Sequence, residues 1–499
     1  MASDKSFFGH PKGLSTLFFT EMWERFSYYG MRAILLLYMV AAVENGGMGL
    51  DTQTGTAIYG LYTMFVYLLA LPGGWLADKY FGLRKSVFYG GCIIALGHFC
   101  MAIPLAGTFF TGLLLIVLGT GLLKPNISSM VGELYPASEQ AKRDAGFSIF
   151  YAGINLGAAI APILIGFLGQ KVNWHYGFGV AGLGMVFGLV QYKLTEKNLG
   201  SAGLPAMVYA DAKEQKKSEK NIRGALWIFL ILLLLFLILA FTGSISLNPL
   251  AIARVLGYVI PTSAIAYFIY VLLFQDLNAD ERKKVISIAI VFVATGLFFA
   301  GYEQQGSSLN LFADRYTNMF IGNFEMPASW MQTVPPVTVI IFSMVFAGLW
   351  VWLSRRNMNP STPVKLSLGL MFMGLGYAVM LGASMIVIGG EKPLPTWLAL
   401  TYLLHTFGEI CLYPIGLSAV SKLSPKKLAG QMMGVYFIAL AYGNLIAGLF
   451  AGEFDENAIA ADPSLLLDLF GVVMKVMLIS GIIVLIFSKQ IRKLMGDIR

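Results

Sequence analysis

Two glutamates and one arginine, close together in an apolar stretch, are the residues of this chain best suited to proton chemistry. Glu21, Glu24 and Arg25 stand at positions i, i+3 and i+4, and this spacing places all three on one face of a helix. Arg25 can neutralise one carboxylate, so the other must bind a proton or find another partner. We predict that the cluster exchanges protons near neutral pH; the alternative is a charged clamp between helices that does not titrate.

Five further charged residues lie inside apolar runs: Arg32, Lys124, Lys475, Glu303 and Glu409. A charge at the centre of a membrane helix costs about 2.5–3.5 kcal/mol, so such residues are candidates for function. Arg32 and Lys124 lie in the N-terminal half with Arg25, whereas both carboxylates lie in the C-terminal half. A cavity between the halves would be positive on one wall and negative on the other, which suits a small zwitterion. We interpret Lys475 as a snorkelling side chain or a structural pair.

Polar residues and prolines accompany these charges. Tyr151 and Asn155 stand four residues apart, on one helical face, where they can bind a ligand or join two helices. A proline follows both Lys124 and Glu409 within five residues. Because proline removes a backbone hydrogen bond, we expect each of these helices to bend beside its charge.

The elements that carry these residues are predicted to be membrane-spanning helices. The chain has 499 residues, of which 57% are hydrophobic and only 12% charged, against about 25% charged in a soluble domain. Fourteen apolar runs have the length of about 20 residues that a bilayer requires. They cover residues 14–43, 55–77, 86–105, 109–132, 145–169, 175–193, 224–243, 252–275, 285–308, 329–353, 364–389, 395–421, 430–451 and 466–488. We therefore predict an all-α membrane protein.

The distribution of basic residues predicts the orientation. With both termini in the cytoplasm, the inner loops and tails hold 27 Lys and Arg residues and the outer loops hold four, as the positive-inside rule requires. The net charge of +8 then reflects cytoplasmic loops. It does not indicate nucleic acid binding, because the charges are dispersed in short clusters between apolar segments. The first residues show no cleavable signal pattern.

Neither a metal site nor an enzyme active site is indicated. The three cysteines all lie in apolar runs, at Cys92, Cys100 and Cys411, so we predict no disulfide framework and no cysteine metal site. The four histidines are scattered without metal-ligand spacing, at His10, His98, His175 and His405. An intramembrane enzyme would need a metal or nucleophile–base constellation. A structural or sensing membrane protein is another alternative, and it would transport no solute.

Three motifs resemble one family. Residues Glu21–Tyr29 read E-M-W-E-R-F-S-Y-Y and resemble a signature of the proton-dependent oligopeptide transporters, a branch of the major facilitator superfamily. Gly73–Lys85 resembles the second signature of that family and the loop 2–3 motif of the superfamily. Phe147–Gly157 resembles its F-Y-x-x-x-x-I-N-x-G element. The resemblance covers the whole chain, including the extra helix pair of bacterial members.

The resemblance implies a fold and a location. We expect the major facilitator fold, with six-helix bundles at 1–195 and 284–499, a cytoplasmic linker at 196–223 and an inserted helix pair at 224–283. Together these segments hold the fourteen predicted helices. The expected location is the cytoplasmic membrane of a bacterium.

The resemblance also implies roles for individual residues. By this resemblance, Glu21, Glu24 and Arg25 would couple transport to protons. The residues implied to line the peptide site are Tyr29, Arg32, Lys124, Tyr151, Asn155, Phe299, Glu409 and Tyr413. Glu409 would face the peptide amino group, and Glu303 would form a gate pair with Arg32. Two residues depart from the family pattern.

The departures affect the predicted pocket. Phe299 stands where many members have Trp, and it retains an aromatic wall. Tyr413 stands where many have Ser, and this bulkier side chain changes the size of the pocket. The implied activity is proton-driven import of di- and tripeptides, with the proton as coupling ion, no cofactor, and no obligate protein partner. A major facilitator carrier for an amino acid, nitrate or drug is the alternative.

Overall fold

The protein is almost entirely helical. The computed structural model describes residues 5–136, 138–204, 212–244 and 247–496. Its helices are α1 (Lys12–Val40), α2 (Thr52–Leu68), α3 (Ala70–Leu76), α4 (Leu83–Met101), α5 (Ala106–Glu133), α6 (Gln140–Phe167), α7 (Trp174–Thr195), α8 (Ala212–Phe241), α9 (Pro249–Phe274), α10 (Ala279–Tyr302), α11 (Ser308–Tyr316), α12 (Val334–Arg355), α13 (Thr362–Ile388), α14 (Thr396–Leu423), α15 (Ala429–Ala451), α16 (Glu456–Ala461), α17 (Leu465–Ile486) and α18 (Ser488–Met495). Two short antiparallel hairpins pair β1 (Lys5–Phe7) with β2 (His10–Pro11), and β3 (Phe320–Ile321) with β4 (Phe324–Glu325).

Helices cover most of each predicted apolar run, and many of them can cross a membrane. Within the described residues, 11 helices are long and apolar enough to do so. The protein is therefore an integral, multi-pass membrane protein of the all-α class. The three predicted runs outside this set lie in α1, α4 and α8. The count of fourteen transmembrane helices and the side of the termini stay predictions.

Hydrogen bonds from α4 and α5 hold the first part of the predicted linker. Arg84 at the start of α4 donates two hydrogen bonds of 2.7 Å, to the carbonyls of Gly200 and Ala202. The carboxylate of Glu133 accepts a bond of 2.6 Å from the Gly203 backbone N–H. Residues 205–211 lie outside the described part of the chain. The helix α8 begins at Ala212, inside the predicted linker, because the charged residues continue the helix that the apolar run requires.

The chain forms two compact units. The first consists of Met1–Tyr29, Leu68–Ala158 and His175–Pro249, and the second of Gly30–Tyr67, Ala159–Trp174 and Leu250–Arg499. The division into bundles at 1–195 and 284–499 stays a prediction.

Glycines allow α4 and α5 to pack closely in the first unit. A Cβ on Gly97 would lie 2.8 Å from the carbonyl oxygen of Gly112, and one on Gly119 would lie 2.6 Å from that of Gly90. Gly90 and Gly97 stand seven residues apart on α4, and Gly112 and Gly119 stand seven residues apart on α5. Both pairs therefore lie along one line of contact. Small residues at such an interface let two membrane helices approach with good van der Waals contact.

The second unit uses the same device between α2 and α15. A Cβ on Gly60 would lie 3.0 Å from the Cα of Gly448. Fully buried apolar side chains of α2, α9 and α15 form the core around this contact: Ala57, Met64, Ala253 and Leu445. The contact therefore joins a segment from the N-terminal part of the chain to helices from the C-terminal part.

Candidate functional site

The buried charged cluster on α1 forms the polar centre of the first unit. Glu21, Glu24 and Arg25 are all buried, with 2%, 0% and 3% of their surface exposed. The Nε of Arg25 lies 3.0 Å from Oε1 of Glu21 and also pairs with Oε2 of Glu24. The three residues share one helical face, as the spacing predicted, but Arg25 contacts both carboxylates through a single nitrogen instead of neutralising only one.

Other groups surround this cluster. The guanidinium of Arg25 lies 5.3 Å from the ring centre of Tyr28 and 6.0 Å from that of Tyr29, within range of a cation–π interaction. Lys124 of α5 interacts electrostatically with Glu21. Tyr28 stands at i+4 from Glu24, on the same helical face, and the sequence assigned it no role in the site. Its position next to Tyr29 in the first motif was the available signal.

The predicted pair on α6 lies in the same unit. The amide nitrogen of Asn155 donates a 2.9 Å hydrogen bond to the backbone carbonyl of Tyr151, so part of this side chain is used within its own helix. Close packing of α6 against α1 explains why the same motif has a glycine at position 157. A Cβ on Gly157 would lie 2.1 Å from the carbonyl oxygen of Met22, because α6 crosses α1 beside Glu21.

The predicted gate pair is in contact within the second unit. Nη1 of Arg32 donates a 2.8 Å hydrogen bond to Oε2 of Glu303, and both residues are buried. The chain turns sharply after Glu303, and a Cβ on Gly306 would lie 1.8 Å from the hydroxyl of Tyr59. A glycine at 306 thus leaves room for a tyrosine next to the ion pair. The function of the pair as a gate stays a prediction.

Tyr302, to which the sequence assigned no role, binds the half-buried carboxylate of Glu409. The hydroxyl of Tyr302 donates a 2.7 Å hydrogen bond to Oε2 of Glu409. The ring of Phe299 lies 5.6 Å from that of Tyr413 and 5.9 Å from that of Tyr302, both edge-on. Aromatic rings therefore adjoin Glu409 on α10 and α14. The position of Tyr302 immediately before Glu303 was the only signal in the sequence.

The structure places the candidate residues in two groups. Those in the first unit are Glu21, Glu24, Arg25, Tyr29, Lys124, Tyr151 and Asn155. Those in the second unit are Arg32, Phe299, Glu303, Glu409 and Tyr413. Lys475 on α17 is exposed. No group of three or more His, Cys, Asp or Glu residues in the described ranges could hold a metal ion.

The histidines have separate surroundings. Nδ1 of His10 lies 2.9 Å from the hydroxyl of Tyr135, outside the membrane-spanning helices. Burial and the nearby Lys142 lower the pKa of His10, whereas burial and Glu139 raise the pKa of Tyr135 to about 12. Both groups are therefore neutral at pH 7, and this contact packs the N-terminal hairpin against the end of α5.

A family model decides the classification of the chain. The model described as the POT family matches residues 84–465, which is most of the chain. The chain belongs to the POT family.

This POT family member is similar to peptide transporters over its whole length. It is 39% identical to the peptide transporter YePEPT of Yersinia enterocolitica subsp. palearctica serotype O:3 (strain YE-P4), over 99% of this chain and 97% of the relative. It is 37% identical to a di-/tripeptide transporter of Lactococcus lactis subsp. cremoris, over 100% of this chain and 99% of the relative.

Solved structures agree with this classification. One is a crystal structure of a POT family transporter in complex with a thioalcohol conjugated peptide. Its sequence identity to this POT family member is 34%, the TM-score is 0.85, and the similarity covers 98% of each chain. The family and these relatives are transporters, so this POT family member is a membrane transporter and not an enzyme.

Proposed function

We propose that this transporter imports di- and tripeptides together with protons, by alternating access, across the cytoplasmic membrane of a bacterium. The buried guanidinium of Arg25, shared between Glu21 and Glu24, is the observation that carries the proposal. The names of the relatives, which include peptide and di-/tripeptide transporters, support the substrate class. The 27 to 4 distribution of basic residues supports fourteen helices with both termini in the cytoplasm.

Proton coupling follows from the charge of the cluster. With both carboxylates ionised, Glu21, Glu24 and Arg25 carry a net charge of −1 in a buried site, which is unfavourable and which the interaction of Glu21 with Lys124 offsets in part. A proton neutralises one carboxylate and leaves Arg25 with a single partner. Coupling requires that this proton stabilise one conformation more than the other. We assign that role to the outward-facing, peptide-competent conformation.

Peptide recognition follows from the chemistry of the remaining candidates. Arg32 and Lys124 supply positive charge for a peptide carboxylate, and Glu409 supplies negative charge for an ammonium group. Tyr29, Tyr151 and Asn155 supply hydrogen-bonding groups suited to the peptide unit. The aromatic walls Phe299 and Tyr413 limit the size of the pocket. The pair of Arg32 with Glu303 would open and close as the bundles rock in alternating access.

Replacement of Glu24 tests the proposal. In proteoliposomes with an inward proton gradient, we expect Glu24→Gln to abolish the accumulation of labelled dialanine and to retain part of the exchange of internal for external dialanine. The reason is that exchange does not require the release of a proton. Full pH-dependent accumulation by Glu24→Gln would contradict the assignment.

A competition experiment separates the alternative carrier. Excess unlabelled dialanine should slow the uptake of a labelled reporter peptide by the unmodified protein. If dialanine has no effect on the reporter, while an amino acid, nitrate or a drug is transported, the substrate class is wrong. An imposed pH gradient with a panel of peptide lengths then measures the preferred size.

A further inference from the structure

The C-terminal helix α18 has one buried face and one cationic face. It begins at Ser488, after the single residue Phe487 that separates it from α17. Ile491 and Met495, four residues apart, are buried against the protein, where α18 packs against α10 and α13. The exposed residues of the same helix include three cations: Lys489, Arg492 and Lys493. α18 is thus a short amphipathic helix that is anchored to the transporter.

The position of α18 coincides with the end of a membrane-spanning helix. The last turns of α17 expose only apolar side chains: Ile482, Ile483, Leu485, Ile486 and then Phe487. Such a surface on a membrane-spanning helix contacts lipid acyl chains. Two residues after Phe487 the exposed side chain is Lys489. This change from apolar to cationic marks the level where hydrocarbon gives way to lipid headgroups.

The cations of α18 have no acidic partner among the described residues, since none of the salt bridges found there includes Lys489, Arg492 or Lys493. The start of α10, a helix that packs against α18, adds a fourth exposed cation, Arg282. The two acidic residues next to it are already engaged. Asp280 pairs with Lys283 at 3.0 Å, and Glu281 accepts a bond from the backbone N–H of Asn278.

We propose that the exposed face of α18, together with Arg282, binds the phosphate headgroups of anionic phospholipids. Lys and Arg next to a membrane surface attract anionic lipids, and a guanidinium can bind two phosphate oxygens at once. The buried contacts of Ile491 and Met495 hold these charges at a fixed height. The bound lipid would tie the ends of α17 and α10 to the bilayer. This inference is independent of the transported substrate.

Lipid-dependent stability of the purified full chain tests the site. In neutral detergent micelles, we expect phosphatidylglycerol to raise the thermal unfolding midpoint at low salt, and phosphatidylcholine to have no such effect. The triple variant Lys489→Gln, Arg492→Gln, Lys493→Gln should lower the apparent affinity for phosphatidylglycerol on the order of 100-fold, if each cation contributes as a juxtamembrane Lys or Arg does. High salt should weaken the effect on the unmodified protein.

A matched control removes three other cations from predicted cytoplasmic loops: Lys85→Gln, Lys142→Gln, Lys193→Gln. This variant has the same net charge and should keep most of the affinity.

If the triple variant does not fold, Lys489→Arg with Lys493→Arg, which keeps the charges, should bind as the unmodified protein does, and Arg492→Gln alone should weaken binding. Equal losses in both triple variants would overturn the proposal. An equal shift with phosphatidylcholine or with inorganic phosphate would overturn it as well. Because no transport is measured, failure here leaves the proposed function unaffected.

Discussion

At the scale of single residues, the hydroxyl of Tyr302 holds the carboxylate of Glu409, which we propose to bind the peptide amino group. Its 2.7 Å hydrogen bond to Oε2 of Glu409 orients the carboxylate. The rings of Phe299 and Tyr413 contact each other edge-on, 5.6 Å apart. An ammonium group would meet a carboxylate that is already oriented.

Removal of that hydroxyl should weaken the binding of free amino termini. We expect Tyr302→Phe to raise the apparent KM for dialanine about 10-fold, since a hydrogen bond to a charged group contributes about 1.5–3 kcal/mol. The uptake of N-acetyl-dialanine, which has no ammonium group, serves as the control and should change little. Equal losses for both peptides would mean that Tyr302 supports packing and not recognition.

A second residue-scale feature is a short sequence that recurs in the N-terminal and C-terminal halves of the chain. In each half a Pro is followed by a basic pair and Ala-Gly, at Lys142–Gly146 and at Lys426–Gly430. Only one of the two glycines, Gly146, lies where close packing excludes a larger side chain. A Cβ on Gly146 would lie 2.1 Å from the hydroxyl of Tyr135, whereas among the described residues one on Gly430 would have no neighbour within 4 Å beyond its own helix. Similar sequences therefore have different packing in the two halves.

At the scale of helices, close contact between glycine-lined surfaces supports α4 and α5. Gly97 and Gly112 face each other with no space for a side chain, and Gly90 with Gly119 repeats the contact one heptad away. Of these two helices, α5 carries Lys124, which interacts with Glu21 of the charged cluster. The packing of this pair therefore affects the position of Lys124.

Filling this contact should destabilise the protein. We expect Gly97→Leu to lower the stability by about 1–3 kcal/mol or more, because an added side chain must push two backbones apart. Gly348→Leu on α12 is the control, since a Cβ there has no neighbour within 4 Å in the described part of the chain beyond its own helix, and it should leave the unfolding midpoint nearly unchanged. Thermal unfolding in detergent measures both. Similar midpoints for the two variants would show that the α4–α5 contact contributes little.

At the scale of the whole molecule, the orientation in the membrane assigns each loop to one side. With both termini in the cytoplasm, Glu325 of β4 would face outward and Arg492 of α18 would face inward. The ion pair of Glu325 with Lys171, one of the four predicted outer basic residues, fits a loop that is short of other cations.

Cysteine labelling tests this orientation. In a variant whose Cys92, Cys100 and Cys411 are replaced by Ser, we expect a membrane-impermeant maleimide to label Glu325→Cys in intact cells. Arg492→Cys should react only after the cells are permeabilised. The reverse pattern would invert the predicted orientation, and labelling of both in intact cells would contradict the placement of the termini.

The sequence alone was sufficient for properties that depend on local geometry and on composition. Apolar runs of membrane length predicted the helices, and the spacing of Glu21, Glu24 and Arg25 placed them together, because residues three and four apart on a helix are neighbours in any fold. The family resemblance is confirmed by the match of the family model.

The tertiary structure decided what depends on the packing of distant segments. It paired Tyr302 with Glu409 and Arg84 with the carbonyls of the linker, and it filled the space at Gly146 while leaving Gly430 open. Helical periodicity predicts which face a side chain occupies, but it does not specify which other helix that face meets. The pairings therefore follow from close packing between helices, which the sequence encodes only through the fold as a whole.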